Sequence, residues 1–258
     1  MTNSLSVTEP LALITGAGRG IGRAIALRFA HAQILTILVA RSNEGITAVR
    51  NEIVSAGGKA WACPCDITQP GEVLALKEDI ASELGTVNIL VNNAGIAPSA
   101  KLEATTDELW RETFAVNTDG AFYMTRAFVP AMREIGGHII SIASTAALQG
   151  FRYTTAYTAS KHALLGLMRA LAEEVRETGI KVSTLCPGFV RTRILEESVE
   201  NVMGRTGKSK EEAEQIFASM NRDGKLIEPE QIADTVFRLI SDSNLQSGLA
   251  YDADGIAI

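Results

Sequence analysis

Cysteine is scarce. Cys63, Cys65 and Cys186 are the only three among 258 residues. An odd number with a Cys-Pro-Cys spacing fits neither a disulfide framework nor a zinc knuckle with two residues between its ligands. The three histidines, His31, His138 and His162, are scattered without metal-ligand spacing, so no metal is expected. No run approaches the ~18 consecutive apolar residues of a membrane span. Positive charge is not in excess either: 24 basic against 30 acidic side chains leave a net −6, which argues against non-specific nucleic-acid binding. The opening Met1–Pro10 carries no basic cluster and no long apolar run. It is not read as a secretory signal, and a cytoplasmic location is expected.

What the chain does have is 46% apolar and 21% charged residues, enough for a sizeable core. Short apolar runs bounded by turn residues occur at Leu11–Thr15, Ile34–Ala40, Lys59–Cys63, Ile89–Asn92, His138–Ile142 and Lys181–Cys186. Helical patterns lie between them, at Arg23–Ala30, Gly45–Ala56, Pro70–Leu84, Asp107–Arg133 and Ala156–Thr178. This alternation predicts an α/β fold, a doubly wound parallel sheet with helices on both faces. No repeat, low-complexity linker or charge block marks a boundary, so residues 1–258 are read as one domain. Arg193–Leu226 breaks the rhythm. It is polar and charged around Met203, Ile216, Phe217 and Met220, and reads as a small helical lid over the end of the sheet.

The first strand runs into Thr15-Gly-Ala-Gly-Arg-Gly-Ile-Gly22. Glycines at such a turn let the backbone approach a pyrophosphate, whose charge a helix N-terminus stabilises. The spacing is G-x-x-x-G-x-G through Gly16, Gly20 and Gly22, with Gly18, Arg19 and Ile21 between. G-x-G-x-x-G does not fit. A second glycine-rich stretch, Gly204-Arg-Thr-Gly-Lys-Ser209, echoes a P-loop but has Val202 where the first glycine belongs, and NTP hydrolysis is not expected. The second strand ends Leu38-Val-Ala-Arg-Ser42, with no acid at Ala40 to grip a ribose 2′-hydroxyl. Arg41 and Arg19, with Ser42, could instead close on a 2′-phosphate, so NADP(H) is expected.

Tyr157-Thr-Ala-Ser-Lys161 puts a phenol and an ammonium four residues apart on one helix face. A neighbouring cation favours the phenolate and is expected to bring its pKa down toward the working range. Ser144 follows the apolar run His138–Ile142, where a hydroxyl at the carboxyl end of a strand can bond a substrate carbonyl. Taken singly, a Tyr-x-x-x-Lys pair arises often by chance.

Taken together, Thr15–Gly22, Asp66, Asn92-Asn-Ala-Gly95, Asn117, Ser144, Tyr157/Lys161 and Pro187-Gly188…Thr192 closely resemble the short-chain dehydrogenase/reductase family, from about Leu11 to Asp254. The resemblance implies a Rossmann-like fold and an NADP-dependent oxidoreductase. Tyr157 would be the general acid or base, and Ser144 would polarise the carbonyl. Lys161 would hold the nicotinamide ribose, and Asn117 would anchor a water that relays protons. Asp66 and Ile67 would flank the adenine. Asn93, Ala94 and Gly95 would pack against the cofactor, while Pro187, Gly188, Val190 and Thr192 would seat the carboxamide. Ser183 stands where many members have asparagine, and Ile256 replaces the second glycine of a common C-terminal turn.

Within the family, the Arg19 turn and Ala40–Glu44 look most like the 3-oxoacyl-thioester reductases. Arg152, Arg191, Arg193 and Arg205 are expected at the pocket rim, to receive a carrier-protein- or CoA-bound substrate. A free cyclic or bulky secondary alcohol or ketone is the alternative substrate. A catalytically silent NADP-binding regulator is the alternative of another class. The resemblance also implies a homotetramer.

Overall fold

A computed structural model describes residues 10–258. Seven parallel strands form one sheet in the order β3-β2-β1-β4-β5-β6-β7: β1 Leu11–Thr15, β2 Leu35–Ala40, β3 Ala60–Pro64, β4 Ile89–Asn92, β5 Gly137–Ile142, β6 Ile180–Leu185 and β7 Ala250–Tyr251. Strand order reverses between β1 and β4, and ligands of open α/β sheets bind at the carboxyl ends beside such a switch point. The fold is the Rossmann-like α/β arrangement the alternation predicts.

Period-two alternation divides the core between the two faces. Leu11, Leu13, Leu90 and Ile139 pack on one side against Leu76, Met124, Phe128 and Leu164, which belong to α3 (Pro70–Glu83), α5 (Gly120–Ile135) and α6 (Thr155–Glu174). Ala12, Ile14, Val91 and Ile140 pack on the other, against Ile25, Phe29, Val49 and Val236 of α1 (Gly20–His31), α2 (Asn43–Ser55) and α9 (Pro229–Ser241). The α1–α9 contact is reinforced by Arg28, which bonds Asp234 at 2.8 Å and lies 3.7 Å over the Phe237 ring.

Two departures from the sequence reading matter for the site. The single helix expected over Asp107–Arg133 is divided into α4 (Asp107–Phe114), a π-helical stretch Ala115–Asp119, and α5. Such π segments insert a residue into the helix and re-aim one side chain, here Asn117. Secondly, α1 begins at Gly20 and not at Arg23, so the glycine turn itself supplies the first N–H groups of the helix.

The expected lid forms two helices, α7 (Arg193–Thr206) and α8 (Lys210–Ala218). The P-loop-like stretch is their junction. Gly207 ends α7 in the left-handed conformation at φ 71°, and Ser209 caps α8 in a reciprocal box with Glu212. The helix α9 and the short β7 escaped the sequence reading.

Candidate active site

The C-terminal ends of β1, β2, β4, β5 and β6 open into a cleft of about 1350 Å³. Its walls include Gly16, Gly18, Arg19, Gly20 and Ile21 from the first turn, and Arg41 and Ser42 after β2. Asp66 and Ile67 after β3, Asn93–Gly95 after β4, Ser144 after β5, and Tyr157 and Lys161 of α6 line it too. Pro187, Gly188, Val190 and Thr192 after β6 complete the predicted set.

Two predicted residues do not face the cleft. Gly22 is buried behind the turn, where an added Cβ would meet the Gly16 carbonyl oxygen at 2.4 Å and Asn93 Nδ2 at 2.5 Å. It lets the start of α1 pack closely against the Gly16 carbonyl and the Asn93 amide. Asn117 is 1% exposed and its side chain is fully engaged. Oδ1 accepts from Ile96 N–H at 2.8 Å, and Nδ2 donates to the Ile96 carbonyl and to Ser160 Oγ, both at 2.9 Å. The Asn117 amide clamps the loop after β4 to the π segment.

The rest of the scaffold around the turn escaped the sequence reading. Thr15, buried at the end of β1, accepts at Oγ1 from the N–H groups of Asn93 and Ala94, both at 3.0 Å. Asn93 returns a bond from Nδ2 to the Thr15 carbonyl at 2.9 Å. These bonds join the ends of β1 and β4 at the switch point. The signal was present as a polar residue closing an otherwise apolar strand.

The donor set at this turn fits a pyrophosphate. Arg19 occupies the N-cap of α1 without a capping side-chain bond, and no acid stands in the first turn, so the N-terminal N–H groups await an acceptor. An added Cβ at Gly20, whose φ is 53°, would meet Thr192 Cγ2 at 3.3 Å, across the space between the two loops. Ser42 at the N-cap of α2 likewise makes no capping bond. Arg19 and Arg41 are exposed at the rim, and among the described residues neither enters an ion pair within 4.0 Å. Asp66 keeps one carboxylate oxygen for the N–H and hydroxyl of Thr68, at 3.0 and 2.8 Å.

Deeper in the cleft, Lys161 is 4% exposed and donates from Nζ to the Ile142 carbonyl at 2.9 Å. Burial lowers its ammonium from 10.5 to about 8. The Nζ atom stands 5.9 Å from the centroid of the Tyr157 ring. Burial pushes the Tyr157 phenol above its usual value, while the hydroxyl of Ser144 beside it pulls the other way.

Beyond Ser144 and Tyr157 the cleft widens between Ile96, Ala97, Phe151, Phe189 and the α7–α8 segment. The Phe189 ring lies 5.9 Å edge-on from Phe151 and 5.2 Å from Phe217. Arg152, Arg193 and Arg205 line the opening as expected. Arg191 does not: it is engaged by Glu228 at 3.0 Å and Glu214 at 3.1 Å. Arg193 pairs with Glu197 at 3.0 Å. Tyr153, half exposed at the mouth, holds a left-handed φ of 67°, and its carbonyl accepts from Ala100 N–H at 2.8 Å. Among the described residues no group of three His, Cys, Asp or Glu is placed to hold a metal, and no helix is long and apolar enough to cross a membrane.

Residues 10–203 match the model of the short chain dehydrogenase family. The chain belongs to that family. It is 35% identical over 240 residues to a Streptomyces violaceoruber protein assigned as ketoacyl reductase 1 of the granaticin polyketide synthase, covering 92% of this chain and 88% of that one. It is 33% identical over 245 residues to the 3beta-hydroxysteroid dehydrogenase of Mediterraneibacter gnavus, covering 91% and 89%. Among solved structures, a single-substitution variant of actinorhodin polyketide ketoreductase with NADPH superposes with a TM-score of 0.91 at 33% identity, over 96% of both chains. As a member of this family the protein is an oxidoreductase.

Proposed function

We propose that this short-chain dehydrogenase is an NADPH-dependent carbonyl reductase acting on 3-oxoacyl thioesters. The observation that carries the reaction class is the convergence of Ser144, Tyr157 and Lys161 on the cleft, beside the Pro187–Thr192 loop, whose Pro187 carbonyl accepts from Thr145 N–H at 2.9 Å. When bound, NADPH would supply the hydride for the carbonyl carbon. Ser144 donates to the carbonyl oxygen, orienting it and polarising the bond. As negative charge grows on that oxygen, the Tyr157 Oη–H bond breaks and its proton passes to the oxygen, leaving an alcohol and a phenolate. Lys161 stabilises the phenolate electrostatically and positions the nicotinamide ribose; Asn117 fixes the loop beneath both.

Preference for NADP(H) over NAD(H) is supported by Arg19 and Arg41, two guanidiniums without carboxylate partners at the 2′ position, together with Ser42. Asp66 and Ile67 would flank the adenine, and Asn93–Gly95 would let the end of β4 approach the cofactor. The NADPH in the actinorhodin ketoreductase structure agrees with this choice.

For the substrate, Arg152 and Arg205, which with Lys101 line the cleft and form no ion pair within 4.0 Å among the described residues, suit the phosphate of a CoA or carrier-protein arm. The second reading, a free bulky or cyclic ketone, is favoured by the Phe151–Phe189–Phe217 wall. A homotetramer is supported by exposed Trp110 and Phe122 on α4 and α5, apolar surface that a second copy would cover. A cytoplasmic location is proposed with it. A screen of NADPH oxidation against acetoacetyl-CoA, longer 3-oxoacyl thioesters, cyclic ketones and sugars tests the reading. Turnover is expected with the thioesters, and activity confined to the cyclic ketones would transfer the assignment to the second reading.

A further inference from the structure

The side-chain amide of Asn221 sits in the turn after α8, far along the chain from every motif of the site. It is 9% exposed, and both its polar atoms are engaged. Oδ1 accepts from the N–H of Phe189 at 2.8 Å; Nδ2 donates to the carbonyl of the same residue at 2.9 Å and to the Lys225 carbonyl at 2.6 Å. Asn221 thus grips Phe189 as a neighbouring strand would, by its N–H and its C=O together. The approach is close enough that a Cβ on Gly188 would stand 2.1 Å from Asn221 Oδ1. Glycine at 188 is required by this amide as much as by anything in the cleft.

Phe189 is also held by its ring, through Phe217 of α8 and Phe151 of the segment between Ser144 and Tyr157. The chain around it is tied to the same side. Ile227 N–H donates to the Phe189 carbonyl at 3.0 Å, and Arg191 N–H donates to the Ile227 carbonyl at 2.8 Å. The Arg191 guanidinium reaches Glu214 of α8 and Glu228. The 187–191 loop and α8 with its following turn therefore form one packed block. The helix α7 joins that block through Leu195, Val199 and Ala213.

We propose that Asn221 is a positioning residue for the nicotinamide half of the cofactor, holding the Pro187–Phe189 backbone against α8 so that cofactor seat and substrate wall keep one geometry. The inference rests on the reading that the Pro187–Thr192 loop seats the nicotinamide. Removing the amide leaves the Phe189 N–H without an acceptor in a place water reaches poorly, and the loop relaxes to satisfy it. None of these bonds involves the Gly16–Gly22 turn or Arg41, which would hold the adenine half.

The test compares Asn221→Ala and Asn221→Asp with the unaltered full-length protein. It measures the NADPH dissociation constant by fluorescence and the affinity for adenosine 2′,5′-bisphosphate, which fills the adenine half alone. NADPH binding is expected to weaken about tenfold in both variants at pH 8, with bisphosphate affinity unchanged. In the Asp variant the defect shrinks toward pH 5, because the protonated carboxyl regains a donor toward a backbone carbonyl, while the Ala variant stays flat. Equal weakening of both ligands, or of neither, overturns the proposal. Failure of the unaltered protein to bind either ligand would instead overturn the cofactor reading on which it rests.

Discussion

Lys161 Nζ donates to the Ile142 carbonyl at 2.9 Å, so the ammonium beside the candidate acid is fastened to the end of β5 before any ligand arrives. Burial sets its pKa at about 8, below the ordinary 10.5. Between those values the unfolded chain binds more protons than the folded one, so stability rises with pH across that window. The buried charge is a cost carried below pH 8 and relieved as pH climbs toward 10.5. In Lys161→Met that pH-dependent contribution is gone. Melting temperatures of the two proteins from pH 7 to 10.5 should show the unaltered chain gaining on the variant steadily above pH 8. Parallel curves would show that Lys161 titrates normally.

The two arginines at the cleft rim give a prediction about cofactor choice. A hydrogen bond to a charged group contributes about 1.5–3 kcal/mol. Arg41→Ala and Arg19→Ala should each raise the Michaelis constant for NADPH by roughly ten- to a hundredfold. The constant for NADH should stay within about twofold. Initial rates with both cofactors check this, and equal losses with both would place the arginines elsewhere than at the 2′-phosphate.

Gly22 and Gly20 make separable predictions, although they are two residues apart. Alanine at 22 forces its Cβ against the Gly16 carbonyl, a clash between backbone elements that costs at least the 1–3 kcal/mol of overpacking. Its melting temperature should fall in the absence of ligand. Alanine at 20 meets a Thr192 methyl and adopts a left-handed φ. Its main effect should be weaker NADPH binding with a smaller change in melting. Thermal scans with and without NADPH separate the two.

Much of this site was legible from residue type and order. The glycine turn, Arg41, Ser144, Tyr157, Lys161 and Pro187–Thr192 all line the cleft as the sequence leads one to expect. That is because the glycine turn, Arg41, Ser144 and Pro187–Thr192 each follow a strand, parallel strands deliver their carboxyl ends to one edge, and α6 brings Tyr157 and Lys161 to the same edge. The π segment was not legible. Ala115–Asp119 has ordinary helical composition, and the extra residue is forced by Asn117 turning in to clamp Ile96, a contact across 21 positions. Arg191 looked like a rim cation because its partners, Glu214 and Glu228, lie 23 and 37 residues on. Helix α9 did carry local cues: Pro229 at its start, a box between Glu228 and Gln231, and Ile232, Ala233 and Val236 on one face. The period was there to be counted.

Substrate choice has its own signature at the mouth. Reversing charge in Arg205→Glu should raise the Michaelis constant for a 3-oxoacyl-CoA several-fold, while leaving that for a small cyclic ketone unchanged. The thioester effect should fade as salt is raised from 0.05 to ~0.5 M, because exposed charges are screened. A uniform change with both substrates would remove Arg205 from thioester recognition.

In the proposed reaction Tyr157 hands its proton to a carbonyl while NADPH is bound. Turnover of NADPH by Tyr157→Phe, set beside NADPH binding to the same variant by fluorescence, tests it most directly. The phenyl ring keeps the packing and removes only the Oη–H. A fall in kcat of about 10²–10⁴ is expected, with NADPH affinity within about threefold of the unaltered protein. A variant that binds NADPH and retains most of its turnover would contradict it.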